Sequence, residues 1–338
     1  MDPLPHNRRT GAFERRVARV LDRLIPPDAA VVVACSGGAD STATLVAIAR
    51  SGRGVTVAHF DHHIRSRADA DADRAAVAAL ARTLDVPLHC GEGRGGSTAE
   101  DAARDERYRW LATAAGEAGT AYVVTGHTLD DQAETVLFRL TRGAGLTGAA
   151  GMAELAPWPV AVEVPLQLIR PLLGIERREV EAYLAALDLE PRHDVTNDDV
   201  TYGRNRLRHR VLPELRAINP HAARALAAFA ARAGADDAAL ELWAEKSFAA
   251  ITNVEERRVV IDRIGLRALP IAVRARVLRR AAAQLRIHLQ AAHLDAAEVA
   301  IGHTGAQIVL AGGRLCTTRA DIIVEADHAP VDASATGG

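Results

Sequence analysis

The chain has 338 residues, 49% of them apolar, and a formal net charge of −2, which allows two hydrophobic cores and gives no overall electrostatic case for a nucleic-acid partner. Every apolar run is broken well short of the roughly 20 residues of a membrane span, and the first 16 residues lack a signal core, so a cytoplasmic protein with no membrane partner is expected. Cys35, Cys90 and Cys316 are too scattered for a zinc or iron–sulfur motif and read as buried thiols.

In chain order, strand-like runs at 30–34, 55–60, 86–89 and 121–125 alternate with helix-like runs at 41–50, 70–84 and 99–118. That alternation predicts an α/β fold, a parallel sheet with helices on both faces. A further helix starts after Thr128 and ends near Arg142, before Gly143 and Gly145. An apolar run at 160–173 leads into an amphipathic helix over 175–187, followed by a polar loop over 188–202. After Pro220 the pattern turns to alanine-rich helical periodicity at 222–246 and 271–289. Short strands are expected over 307–324 and disorder beyond. The expected organisation is a catalytic domain over 1–217, a smaller mainly helical region with a short β tail over 218–326, and a disordered tail over 327–338.

Two segments carry chemistry. The first strand stops at Ser36-Gly37-Gly38-Ala39-Asp40-Ser41 and restarts as a helix, a phosphate cradle in which glycines let the backbone approach an anion and a helix N-terminus faces it. The Walker pattern is absent, and the only lysine in the chain is Lys246. Asp40 stands where a phosphate-binding lysine would be expected, so a divalent cation is expected to bridge it to the phosphates. The second segment is Gly126-His127-Thr128-Leu129-Asp130-Asp131-Gln132-Ala133-Glu134. On a helix Asp131 and Glu134 share a face and repel by a few tenths of a kcal/mol. Either the helix dipole balances that acidic first turn, or the carboxylates form a cation site for Mg²⁺ or a substrate ammonium. Residues 36–41, 59–63 and 126–131 all follow strands, which brings them to one crevice at the carboxyl edge of the sheet. A third cluster, Arg204, Arg206, Arg208, His209 and Arg210, reads from composition equally as a solvated helix face or a polyanion contact.

The first segment resembles the PP-loop ATP pyrophosphatases, whose fold is adenine nucleotide alpha hydrolase-like. Residues 126–152 resemble the signature of one branch, the tRNA(Ile)-lysidine synthetases. Ala103-Arg104-Asp105-Glu106-Arg107-Tyr108, Arg170-Pro171-Leu172-Leu173, Thr196-Asn197-Asp198 and Arg204-Asn205-Arg206-Leu207-Arg208-His209 are similar to further motifs of that branch, in the right order. His63, Thr98 and Thr196 depart from the usual glycine, asparagine and serine, without removing an ionisable group.

The resemblance implies an ATP- and Mg²⁺-dependent ligase that adenylates the wobble cytidine of a tRNA(Ile) with a CAU anticodon and then joins free L-lysine to it. It implies Ser36, Gly37, Gly38, Ala39, Asp40, Ser41, His59, Gly126 and His127 around the nucleotide, with Asp40 also on the metal. Asp131, Glu134 and Arg107 are expected at the lysine, Asp40, Asp131, Glu134 and Arg104 in catalysis, and Arg204, Arg206 and Arg208 on the tRNA. A related tRNA thiolase shares the adenylation step but lacks support from paired cysteines. An amidotransferase-coupled synthetase lacks a glutaminase-like stretch, and a nucleotide-binding sensor leaves the acidic and arginine clusters without a purpose. A homodimer stays open.

Overall fold

The computed structural model describes residues 4–62, 66–93, 100–192 and 203–327. The chain divides into two compact units, Met1–Ala233 and Gly234–Gly338. Among the described residues no helix is long and apolar enough to cross a membrane.

The first unit is built on a six-stranded sheet in the order β3-β2-β1-β4-β6-β5. The strands are β1 (Val31–Ala34), β2 (Val55–Asp61), β3 (Leu88–Glu92), β4 (Tyr122–Val124), β5 (Leu155–Pro157) and β6 (Gln167–Ile169). All pairs are parallel except β5 with β6. Four of these strands lie where the apolar runs predict them, and β6 lies inside the run at 160–173.

Because successive strand residues face opposite sides, β1 feeds two cores. Val31 and Val33 join Val17 and Leu21 of α1 (Arg8–Leu24), Leu45 and Ile48 of α2 (Ala39–Ala49), and Leu184 and Leu187 at the end of α7 (Arg177–Ala185). Val32 joins Tyr108, Leu111 and Ala115 of α4 (Glu100–Glu117) on the other face. Helix α1 follows from the spacing of Phe13, Val17 and Leu21 and from Asn7, whose side chain accepts from the N–H groups of Arg9 and Thr10. The ring of Phe13 stacks on Tyr183 with centroids 4.1 Å apart.

The remaining helices of this unit are α3 (Arg67–Thr83), α5 (Leu129–Thr141), α6 (Leu146–Ala149), α8 (Gly203–Arg206), a π-helical turn at Leu207–Val211, and α9 (Leu212–Ile218). Leu212 of α9, with Ala223 at the start of α10 (Ala222–Ile251), packs on Leu129 and Ala133 of α5. Residues 193–202, most of the expected polar loop, lie outside the described residues, as do His63, Thr98 and the tail from 328 onward.

In the second unit α11 (Arg263–Ala268), α12 (Ile271–Gln284) and α13 (Ala291–Ala300) accompany a five-stranded antiparallel sheet in the order β7-β8-β11-β10-β9. The tail strands β9 (Gln307–Leu310), β10 (Gly313–Thr317) and β11 (Asp321–Ala326) are joined by β7 (Thr252–Val254) and β8 (Arg258–Asp262). The sequence pattern alone misses this second pair. Val259 and Ile261 alternate correctly into the core, but the strands are short and the turn between them is Glu255-Glu256-Arg257, with no glycine or asparagine to mark it. Cys35 is buried as expected, whereas Cys90 and Cys316 are only half-buried.

Candidate active site

Strand order reverses direction between β1 and β4, so the loops after these two strands diverge and leave a crevice. A cavity of about 570 Å³ opens there, within the range of sites that hold a nucleotide-sized ligand.

The loop after β1 forms one wall. Gly37 has φ +91°, a left-handed conformation that favours glycine, and it turns the chain into α2. Gly38 caps α2 without a side-chain hydrogen bond, so the first N–H groups of that helix keep their capacity for an external acceptor. A Cβ at Gly38 would meet only Ser36 Oγ, at 3.6 Å, and would stand in the cradle. Ser41 Oγ accepts from the Ser36 N–H at 3.2 Å and donates to the Gly38 carbonyl at 3.0 Å, which fixes the loop's shape internally.

Asp40 projects from the first turn of α2 into the cavity. Its Oδ2 accepts from Arg177 Nη2 at 2.5 Å, while Oδ1 is buried and makes no hydrogen bond. Burial pushes its carboxyl above the ordinary value, against the pull of Arg177. One orphaned carboxylate oxygen beside a phosphate cradle fits Mg²⁺, which needs few protein ligands when phosphates and water complete its shell. Among the described residues no group of three His, Cys, Asp or Glu side chains forms a metal site on its own.

The loop after β4 forms the opposite wall. A Cβ at Gly126 would lie 2.7 Å from the Asp40 carbonyl oxygen and 2.9 Å from the Ser41 nitrogen, so only glycine lets the two loops touch. His127 accepts or donates at Nδ1 with Thr125 Oγ1 across 2.8 Å, and burial lowers its pKa to about 4, leaving it neutral near pH 7. Thr128 and Asp131 form the capping box of α5, with Asp131 Oδ2 accepting from the Thr128 N–H at 2.8 Å. Asp130 turns away to accept from the Arg177 N–H at 2.9 Å and from Arg216.

Arg208, in the π-helical turn, donates from Nε to Glu134 Oε1 at 2.6 Å and from Nη2 to Asp131 Oδ1 at 2.9 Å and Glu134 Oε2 at 3.0 Å. Burial alone would raise both carboxyls. His127, the Thr128 N–H, Arg208 and Arg177 together hold Asp131 below the usual carboxylate range, whereas Glu134 stays above its ordinary value despite Arg208.

Residues 10–215 match the PP-loop domain family and residues 262–322 match the TilS substrate binding domain. The tRNA(Ile)-lysidine synthase of Salinispora arenicola is 40% identical over 334 residues, which covers 94% of this chain and 97% of the relative. The chain belongs to the tRNA(Ile)-lysidine synthase family. Its counterpart in Methylobacterium nodulans is also 40% identical, with 89% of each chain covered. A solved structure described as the U34-tRNA thiolase NcsA from Methanococcus maripaludis with its [4Fe-4S] cluster shares the fold at a TM-score of 0.56. It has 15% sequence identity and covers 66% of this chain and 79% of that one.

Against the residues expected for a lysidine synthase, the cavity is lined by Ser36, Gly38, Ala39, Asp40, Ser41, Gly126, His127, Asp131, Arg107 and Arg208. Gly37, not itself in the lining, shapes the loop through its left-handed backbone. His59 is buried and bonds the Cys35 carbonyl at 2.9 Å, so it supports the loop, whereas His62 lines the cavity. Burial lowers the pKa of His62 to about 4. Arg104 lies over the Tyr108 ring at 5.4 Å outside the cavity lining, and Glu134 lies behind Arg208. Arg204 and Arg206 are exposed, with Arg204 5.9 Å from the Phe138 ring centre. Arg177 was not singled out from sequence, although a cation at the first position of α7 opposes the helix dipole and so hints at a carboxylate partner.

Proposed function

We propose that this chain joins the ε-amine of free L-lysine to C2 of the wobble cytidine in the CAU anticodon of tRNA(Ile), using ATP, in the cytoplasm. The observation that carries this reading is the convergence of the Ser36–Ser41 cradle and the acidic start of α5 on one cavity. In the first step the cytidine O2 attacks the α-phosphorus of ATP, the bond to the β-phosphate oxygen breaks, and pyrophosphate leaves. Such a reaction needs positioning and charge stabilisation more than covalent help. The uncapped N–H groups of α2 and the Ser36 and Ser41 hydroxyls would hold the phosphates. Asp40, through its unpartnered carboxylate oxygen, would hold Mg²⁺, which would supply positive charge to offset the charge that develops there.

In the second step the neutral amine attacks C2, the C2–O2 bond breaks, and AMP leaves carrying that oxygen. Asp131, held ionised, attracts the ammonium form, and Glu134, whose pKa lies higher, is the better acceptor for the proton the amine must lose. Arg107, whose buried Nε makes no hydrogen bond, is suited to the lysine carboxylate. Arg104, outside the cavity lining, would act through its neighbour Tyr108, whose hydroxyl it meets at 3.4 Å. Exposed Arg204 and Arg206 suit tRNA phosphates, and Arg208 joins that run to the acidic pair. Cys35, buried with a raised pKa, is a poor sulfur carrier, and the thiolase alternative is not favoured.

Incorporation of radiolabelled lysine into unmodified tRNA(Ile) bearing CAU tests the proposal. Label that requires ATP and is absent from methionine tRNA is expected. ATP-dependent pyrophosphate release without label would sink the lysine assignment and keep adenylation.

A further inference from the structure

The cradle has a charge problem that its own residues do not solve. A bound triphosphate carries about four negative charges, the loop offers backbone dipoles and hydroxyls, and its one charged side chain, Asp40, is an anion. The only lysine in the chain, Lys246, belongs to the other compact unit. The cations that line the cavity are arginines, and most are committed. Arg177 is bound to Asp40 at 2.5 Å and Arg208 to Glu134 at 2.6 Å, and Arg107, 5.4 Å from the Tyr108 ring centre, is the residue assigned above to the lysine carboxylate.

Arg192 is also paired with carboxylates, Asp73 and, at 3.9 Å, Asp69, but its hydrogen bond to them uses Nε alone. Its backbone N–H donates to the Gly37 carbonyl at 3.2 Å, which fastens the segment after α7 to the crown of the cradle. Its Nε donates to Asp73 Oδ1, and Asp73 itself lines the cavity from α3. Helix α3 is seated on the same loop, since a Cβ at Gly37 would lie 3.5 Å from Val77 Cγ2. The Asp73 carboxylate is only 10% exposed, whereas the Arg192 side chain is 38% exposed. Asp69 stands 3.9 Å from Nη2, too far for a hydrogen bond. A buried carboxylate thus holds the guanidinium through Nε, and this cavity-lining side chain keeps two terminal nitrogens without a hydrogen bond among the described residues, an edge that matches two phosphate oxygens.

We propose that Arg192 is a phosphate-binding residue of this cavity, contacting the β- and γ-phosphates of ATP and the departing pyrophosphate, with Asp73 as its positioning residue. The inference rests on the nucleotide reading of the cradle given above. It separates the two ends of the ligand, because AMP lacks the phosphates that Arg192 would hold.

Calorimetric titration of the whole protein with Mg-ATP and with AMP tests it, on the parent chain, Arg192→Ala and Arg192→Lys. Arg192→Ala is expected to weaken Mg-ATP binding about ten- to hundredfold and AMP binding by less than about twofold, the size of a lost charge-assisted hydrogen bond. Arg192→Lys, which keeps the charge and loses the fork, falls between. Parallel loss of both nucleotides in both variants would mean that Arg192 only shapes the loop, and unchanged Mg-ATP affinity would mean that it touches no phosphate; either overturns the proposal. A parent chain that binds neither nucleotide would overturn the nucleotide reading itself.

Discussion

The two walls of the cavity solve the same problem, holding charge in a partly buried site, by opposite means. The Ser36–Ser41 wall relies on backbone N–H groups, a helix N-terminus and missing Cβ atoms, with its hydroxyls locked to one another. The α5 wall relies on full charges, Asp131 and Glu134, each already matched to Arg208. Backbone dipoles need no partner in the empty state and are ready for an anion. Buried carboxylates do need one, so a cation that binds at Asp131 and Glu134 competes with a guanidinium. On the proposed reading the first wall is pre-organised for a polyanion, and the second would work by exchange of ions.

The sharpest break in this comparison uses two glycines with opposite roles. Gly38→Ala adds a Cβ that meets only Ser36 Oγ at 3.6 Å, so stability is expected to hold within about 0.5 kcal/mol while ATP affinity falls at least about hundredfold. Urea unfolding and ATP titration on the one variant check both halves. Gly126→Ala forces a Cβ to 2.7 Å from the Asp40 carbonyl, and a loss of about 1–3 kcal/mol of stability is expected. Equal stability of the two variants would contradict the division between a ligand-facing and a packing glycine.

The charged wall leads to a pH prediction. His127 and His62 each have a folded pKa of about 4 against an ordinary 6.5. A depressed histidine favours folding while neutral, so its contribution is complete above pH 6.5 and is lost as pH falls toward 4, by up to roughly 3 kcal/mol per histidine. Asp40 and Glu134 act in the opposite direction, since burial favours their protonated forms. Denaturant unfolding at pH 7 and pH 4.5 is therefore expected to show a smaller stability loss for His127→Gln than for the parent. An unchanged difference would mean that His127 is charged in the folded protein. The smallest effect belongs far from both walls: Asn7→Ala removes the cap of α1 and is expected to cost about 1 kcal/mol with ATP binding unaltered.

Much of this was legible in the sequence where local chemistry decides structure. The valine-rich β1 and β2, the Ser36–Ser41 turn and the Thr128–Asp131 start of α5 each carry their own signal within a few residues. What the sequence hides is partnership over distance. Arg177 meets Asp40 across 137 positions and Arg208 meets Glu134 across 74, and no periodicity encodes such pairs. For the same reason His59, expected at the nucleotide, instead bonds the Cys35 carbonyl, while His62, for which no role was expected, lines the cavity. The β7–β8 pair was hidden by its length, and its register is set by β11, far along the chain.

The most direct test of the two-wall account follows pyrophosphate release and lysine transfer in parallel on Gly38→Ala and Glu134→Gln, with tRNA(Ile) bearing CAU. Gly38→Ala is expected to lose both, whereas Glu134→Gln is expected to release pyrophosphate within about twofold of the parent and to transfer lysine about a hundredfold more slowly. Equal loss of both steps in Glu134→Gln would contradict the assignment of one step to each wall.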